Sequence, residues 1–166
     1  TSTTLTGDID VEDNLTFLGA GGNVVLADDV RITTTDGKVL FENTVDATAG
    51  GEDEGLEIQA GDEDVTFDSA IGATTPLGHL TISGDDVNTD AITTADNGHV
   101  HLRALDEYDM TGTITAGTGG NITILSEGQT SDLVIDFAIT SAAPGEGIIT
   151  VVSDQDVTIS ATISAD

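Results

Sequence analysis

Short apolar–polar–apolar runs recur along the whole chain. They include Leu15-Thr16-Phe17-Leu18, Val24-Val25-Leu26, Val30-Arg31-Ile32, Val39-Leu40-Phe41, Leu56-Glu57-Ile58 and Val65-Thr66-Phe67. The same style continues through Leu80-Thr81-Ile82, Val100-His101-Leu102, Ile122-Thr123-Ile124, Leu133-Val134-Ile135 and Val157-Thr158-Ile159. Alternation with period two places successive side chains on opposite faces, the pattern of a half-buried strand. The runs are separated by turn-forming clusters such as Asp36-Gly37, Gly84-Asp85-Asp86 and Asn97-Gly98. Their spacing of roughly 8–12 residues is that of an all-β domain. No stretch keeps a helical apolar period, and the least strand-like piece, Ala104 to Met110, reads as a loop or a single turn. The pattern predicts an all-β fold, with residues 1–166 as one β-repeat domain. The absence of an initiating Met at Thr1 predicts a processed form or a segment of a longer protein.

Internal repeats refine this expectation. Gly19 to Leu26 matches Gly117 to Ile124, each carrying a Gly-Gly-Asn corner. Gly55 to Ile71 matches Gly147 to Ile163, through Asp62-Glu-Asp-Val-Thr-Phe67 and Asp154-Gln-Asp-Val-Thr-Ile159. The shared unit is an acidic turn followed by Val-x-Ile or Val-x-Phe. The Gly-Gly-Asn corners need backbone with positive φ, which Gly and Asn tolerate. Offsets vary, so some units carry insertions. Two architectures accommodate such repeats: a parallel β-solenoid with coils of roughly 20–25 residues and an antiparallel β-sandwich. The solenoid is favoured. Its narrow interior stacks small and β-branched side chains, whereas a sandwich core usually calls on large aromatics.

Composition supports the narrow interior and excludes several functions. Aromatic residues make up 3% of the chain, with no Trp, and there are 20 Gly and 2 Pro. Cys is absent, which removes disulfides, thiolate nucleophiles and thiolate metal ligands. Asp and Glu number 31 against 3 Lys plus Arg, a formal net charge of −28. A nucleic-acid partner is excluded, because binding by phosphate neutralisation needs cations. Basic adhesion to anionic membranes is excluded on the same ground, and no apolar run is long enough to insert into a bilayer.

Within this texture, Asp64-Val-Thr-Phe67 followed by Ile71-Gly-Ala-Thr-Thr-Pro-Leu-Gly-His-Leu-Thr-Ile-Ser-Gly84 resembles the repeat units of large secreted bacterial proteins. The style is similar to filamentous-haemagglutinin-type and autotransporter-type exoproteins and covers most of the chain. The resemblance implies a right-handed parallel β-helix, surface display and an adhesive or structural role. It brings no catalytic residues with it.

The acidic turns are the first candidates for chemistry. Asp28 with Asp29, Asp62 with Asp64, and Asp154 with Asp156 are candidate Ca²⁺ ligands; Asp85-Asp86 and Gly51 to Glu54 are similar clusters. Ca²⁺ takes 6–8 oxygens in flexible geometry, and stacked strands bring carboxylates of neighbouring coils close together. The competing reading is a solvated acidic face. His99 and His101 share one strand face, with His79 on a neighbouring run, so imidazole ligation of Zn²⁺ competes with simple solvation. Asn14 and Asn121 open glycosylation acceptor patterns.

Polysaccharide cleavage ranks low among the alternatives, since only Arg31, Lys38 and Arg103 can stabilise developing charge and the chain has one Tyr. The expected role is a non-catalytic extracellular or cell-surface protein, structural or adhesive, self-associating end to end or by strand pairing. The alternative is an acidic surface-layer or sheath protein of a saline habitat, packed through bridging divalent cations.

Overall fold

The computed structural model describes residues 2–19, 22–48, 53–128, 132–142 and 147–165. Among these residues there is no helix, and every strand ladder is parallel. The chain is a β-solenoid whose coils each contribute a segment to three faces. The first coil is β1 (Thr3–Leu5), β2 (Ile9–Val11) and β3 (Leu15–Phe17). It is followed by β4 (Val24–Leu26), β5 (Val30–Thr34) and β6 (Val39–Phe41), then β7 (Val45–Ala47), β8 (Gly55–Gln59) and β9 (Val65–Phe67). The next coil has the single bridge residue Ile71 on the first face, then β10 (Leu77–Gly84) and β11 (Val87–Thr89). In the coil after it, the long strand β12 (Ile92–Ala104) turns from the first face to the second, and β13 (Tyr108–Met110) forms the third. The remaining coils are β14 (Ile114–Ala116), β15 (Ile122–Ser126) and β16 (Leu133–Ile135), then β17 (Ile139–Ser141), β18 (Ile149–Ser153) and β19 (Val157–Ile159). β20 (Ile163–Ala165) starts another turn on the first face.

The alternating sequence pattern builds the interior directly. Val24, Val45, Ile71, Ile92, Ile114 and Ile139 form one buried ladder on the first face. Ile32, Ile58, Ile82, Leu102 and Ile124 form another on the second. A one-residue slip would turn each such row out to solvent, so burial itself fixes the register. Coil length varies: Val24 to Val45 is 21 residues, whereas Val45 to Ile71 is 26. Longer coils absorb the excess at corners, because strand pairing tolerates little change along the faces.

Two sequence expectations are refined. Tyr108 to Met110, inside the stretch read as a loop or turn, is a strand with Tyr108 and Met110 buried and Asp109 outward. The acids Asp106 and Glu107 just before it obscure its short alternation in the sequence. The Gly-Gly-Asn segments are not equivalent. One leads into β4 on the first face, and the other, Gly119 to Asn121, leads into β15 on the second. Gly21 of the first lies outside the described residues. The acidic repeats do match in position, because both β9 and β19 lie on the third face.

Few as they are, the aromatics are concentrated. Phe17, Phe41 and Phe67 stack through consecutive coils of the third face, with centroids 4.4 and 4.6 Å apart. Further along, Tyr108 takes a position that Val39, Val65 and Val87 fill in the preceding coils. Its ring meets Phe137 edge-on at 6.4 Å. Its hydroxyl lies 3.2 Å from Met110 Sδ, and burial pushes the phenol pKa far up. Beyond this ring the third face is interrupted: among the described residues no ladder joins β13 to β16.

Candidate cation-binding corners

The acidic turns fall at corners, where the chain passes from one face to the next. Asp28 and Asp29 lie between β4 and β5, Asp62 and Asp64 between β8 and β9, and Asp154 and Asp156 between β18 and β19. Asp85 and Asp86 lie between β10 and β11, one coil beyond Asp62 and Asp64. The corner between the second and third faces therefore carries an acidic edge. It runs from Asp36 through Asp62 to Asp64, Asp85 and Asp86, Asp106 and Glu107, to Asp154 and Asp156.

Many of these side chains serve the backbone. Parallel coils leave corner N–H groups without ladder partners, and a short carboxylate or amide can reach them. Asp29 Oδ1 accepts from Gly55 N at 2.8 Å, Asp86 Oδ1 from Glu107 N at 3.1 Å, and Asp154 Oδ2 from Gly128 N at 3.1 Å. Asn14 Oδ1 takes Lys38 N at 2.8 Å, and Asn121 Oδ1 takes Ile148 N at 2.9 Å. The two asparagines of the glycosylation patterns thus have a structural use for their carbonyl oxygens. The buried carboxylate of Asp46 accepts from Thr74 N at 2.8 Å and from Asn23 Nδ2 at 3.3 Å. Such intercoil caps explain why Asp and Asn outnumber longer polar residues at the corners.

One group of carboxylates has the compactness that a cation needs. Asp64, Asp85 and Asp86 each present an oxygen within 4.8 Å of the others. Asp64 comes from the coil before, so the cluster is assembled by stacking. Asp62 belongs to the same corner. Asp28 and Asp29 share a separate recess with Asp53 and Glu54 of the next coil, and Asp154 and Asp156 lie far along the solenoid from both. The six candidate ligands are therefore spread over three corners. Residues 51 and 52 of the Gly51 to Glu54 cluster lie outside the described residues. The sequence already displayed Asp85-Asp86 as an acidic turn; its meeting with Asp64 depends on the length of one coil.

The three cations are all spent on neighbouring coils. Lys38 pairs with Asp64, Arg31 with Glu57 at 3.6 Å, and Arg103 with Glu127 at 2.6 Å. Contact with Asp64 raises the Lys38 pKa above its usual value. The carboxyl pKa of Asp85 is also raised. Desolvation is the leading cause, followed by the negative charges of Asp86, Asp106, Asp64 and Asp62.

For Asp85 the linkage runs in one direction. The folded state holds its proton more tightly than the unfolded state, so stability is greatest below the unfolded pKa and is lost as pH rises through the folded one. Asp85→Asn is therefore expected to raise the melting temperature at pH 7 by about 2 °C, the scale of exposed charge–charge effects. At pH 3, where the carboxyl is protonated in both states, the gain should vanish. A Ca²⁺ ion between Asp64, Asp85 and Asp86 would relieve the same repulsion. Millimolar Ca²⁺ should then raise the melting temperature of the parent chain more than that of Asp85→Asn. Equal increments in scanning calorimetry would remove the cluster as a cation site.

No family model, curated protein or solved structure matches the chain. The fold and its corners define the class on their own: an acidic parallel β-solenoid with capped corners and apolar ladders.

Proposed function

We propose that the chain is a non-catalytic structural module of the extracellular space or cell surface, a rod segment that continues by pairing with further β-coils at its ends. The observation that carries this reading is the state of the last coil. Leu133, Ile135 and Ile139 are 1%, 0% and 0% exposed, but the residues stacked on them, Val157, Ile159 and Ile163, are 39%, 51% and 37% exposed. Apolar interior and unpaired strand edges together form a template for another coil. At the other end, Ile9, Leu15 and Phe17 are only partly covered.

The charge gives the association a direction. A net charge of −28 spread over the corners repels copies side by side, whereas the ends are apolar. Association along the axis is thereby favoured over lateral clumping. A non-catalytic role draws support from the same geometry. Phe17, Phe41, Phe67, Tyr108 and Phe137 belong to the interior, leaving no aromatic platform for a sugar, and the cations are paired. The Asp64–Asp85–Asp86 cluster favours, as a second reading, a surface-layer or sheath protein in which Ca²⁺ joins acidic edges.

Sedimentation against protein and salt concentration tests the first reading. The parent chain is expected to form end-to-end oligomers as either concentration rises. Ile159→Asp, which places charge on the open end, should remain monomeric with an unchanged circular dichroism spectrum. A parent chain that stays monomeric throughout, or an Ile159→Asp variant that associates equally, would overturn it.

A further inference from the structure

The outward row beside the corner between the first and second faces carries an arrangement the structural reading does not use. Gly55, His79 and His99 are register partners on β8, β10 and β12. The two imidazoles stack with centroids 5.3 Å apart and planes within 15°. Gly55 makes room for this. A Cβ at residue 55 would lie 1.9 Å from Cε1 of His79, so the ring occupies space that any other residue would fill. Asp53, Asp96 and Asn97 line the same recess. Asp96 Oδ1 accepts from Thr118 N at 2.9 Å, which fixes the side chain and leaves its second oxygen to the recess. Asn97 has φ of 59°, the one non-glycine with positive φ among the described residues, and its N–H is held by Thr118 O at 2.7 Å. The tight bend of β12 at Asn97 brings Asp96 and His99 to the same recess.

We propose that His79 and His99, with the flanking carboxylates of Asp53 and Asp96, bind a divalent transition-metal ion of the Zn²⁺ type. Two imidazoles and carboxylates form a borderline donor set suited to Zn²⁺, unlike the all-oxygen corners, which suit Ca²⁺; Asp53 also lines the neighbouring recess of Asp28, Asp29 and Glu54. Zn–N bonds of 2.0–2.1 Å in a tetrahedral site require ring nitrogens about 3.4 Å apart. The strands hold the rings on adjacent register positions; among the described residues only Asp64, Asp85 and Asp86 already bring three donor atoms within 4.8 Å of one another, so both rings and both carboxylates must turn toward a common point to close this site. His101 points to the same side but lies two residues further along β12, about 7 Å away by strand geometry, and is left out of the site.

The test uses the whole chain, titrated with ZnCl₂ in excess Ca²⁺ so that oxygen-only sites are occupied, and read by calorimetry and by NMR of the imidazole protons. One Zn²⁺ per chain is expected, with the His79 and His99 signals moving together and that of His101 unaffected. His79→Gln and His99→Gln should each lower Zn²⁺ affinity at least tenfold, and His101→Gln should change it by less than twofold. All three substitutions lie on the outward face, and the calcium-loaded melting temperature reports whether each variant is folded. Zn²⁺ binding that Ca²⁺ abolishes, or that survives His99→Gln unchanged in a folded variant, would overturn the proposal.

Discussion

Replacing Phe41 by alanine is expected to destabilise the solenoid by about 4 kcal/mol, a large part of the stability of an ordinary domain. Phe41 is fully buried between Phe17 and Phe67 and stacks on both. Truncation leaves a cavity in the interior and removes two ring–ring contacts, each contributing about 0.5–1.5 kcal/mol beyond burial. Phe17→Ala should cost about half as much, because its ring is only partly buried and loses a single partner. In a solenoid each coil contacts only its neighbours, so the damage should be local. Urea titration reads the total. Hydrogen exchange should show early loss of protection in β3, β6 and β9, with β14 and β17 retained. Equal costs for the two variants would show that the stack is not the source of the effect.

The period-two runs made the strands and the inward side chains legible in the sequence, and the repeated acidic turns made the corners legible. Register was the missing quantity. Coil length varies irregularly between 21 and 26 residues, so no constant offset brings the right residues opposite one another. The phenylalanine stack shows the consequence: Phe17, Phe41 and Phe67 are separated by unequal intervals, and each is an ordinary strand residue until the coils are aligned. The same holds for Asp64 with Asp85 and Asp86. Their proximity depends on Val65 pairing with Val87, a fact about coil length that neither acidic turn contains. His79 and His99 were visible as separate strand residues; Gly55, which creates the space beneath the ring, carried no signal alone. Corner capping was hidden for another reason. An Asp that accepts a hydrogen bond from the next coil looks, in sequence, like an Asp free to bind a cation.

Gly72→Ala is expected to cost about 4 kcal/mol, and a comparison with Gly61→Ala isolates the reason. Both glycines have left-handed backbone, φ +70° at Gly72 and +60° at Gly61. An alanine pays roughly 1–2 kcal/mol for that conformation wherever it occurs. At Gly61 an added Cβ meets open space, so the conformational term should be the whole effect. At Gly72 it would lie 2.1 Å from the carbonyl oxygen of Thr93 on the next coil. That backbone cannot yield freely. Gly72 N donates to Val45 O at 2.7 Å, and Thr93 N donates to Ile71 O at 2.9 Å, so three coils are tied together at this point. Among the described residues Ile71 is also the one residue of its coil that forms β-bridges on the first face, to Val45 and Ile92. Forcing the coils apart should therefore add about 2–3 kcal/mol of packing strain and weaken both bridges. Chemical denaturation of the two variants side by side measures the difference. A Gly72→Ala cost no larger than that of Gly61→Ala would mean that the coils separate here without resistance, and that the bridge at Ile71 contributes little to holding the first face together.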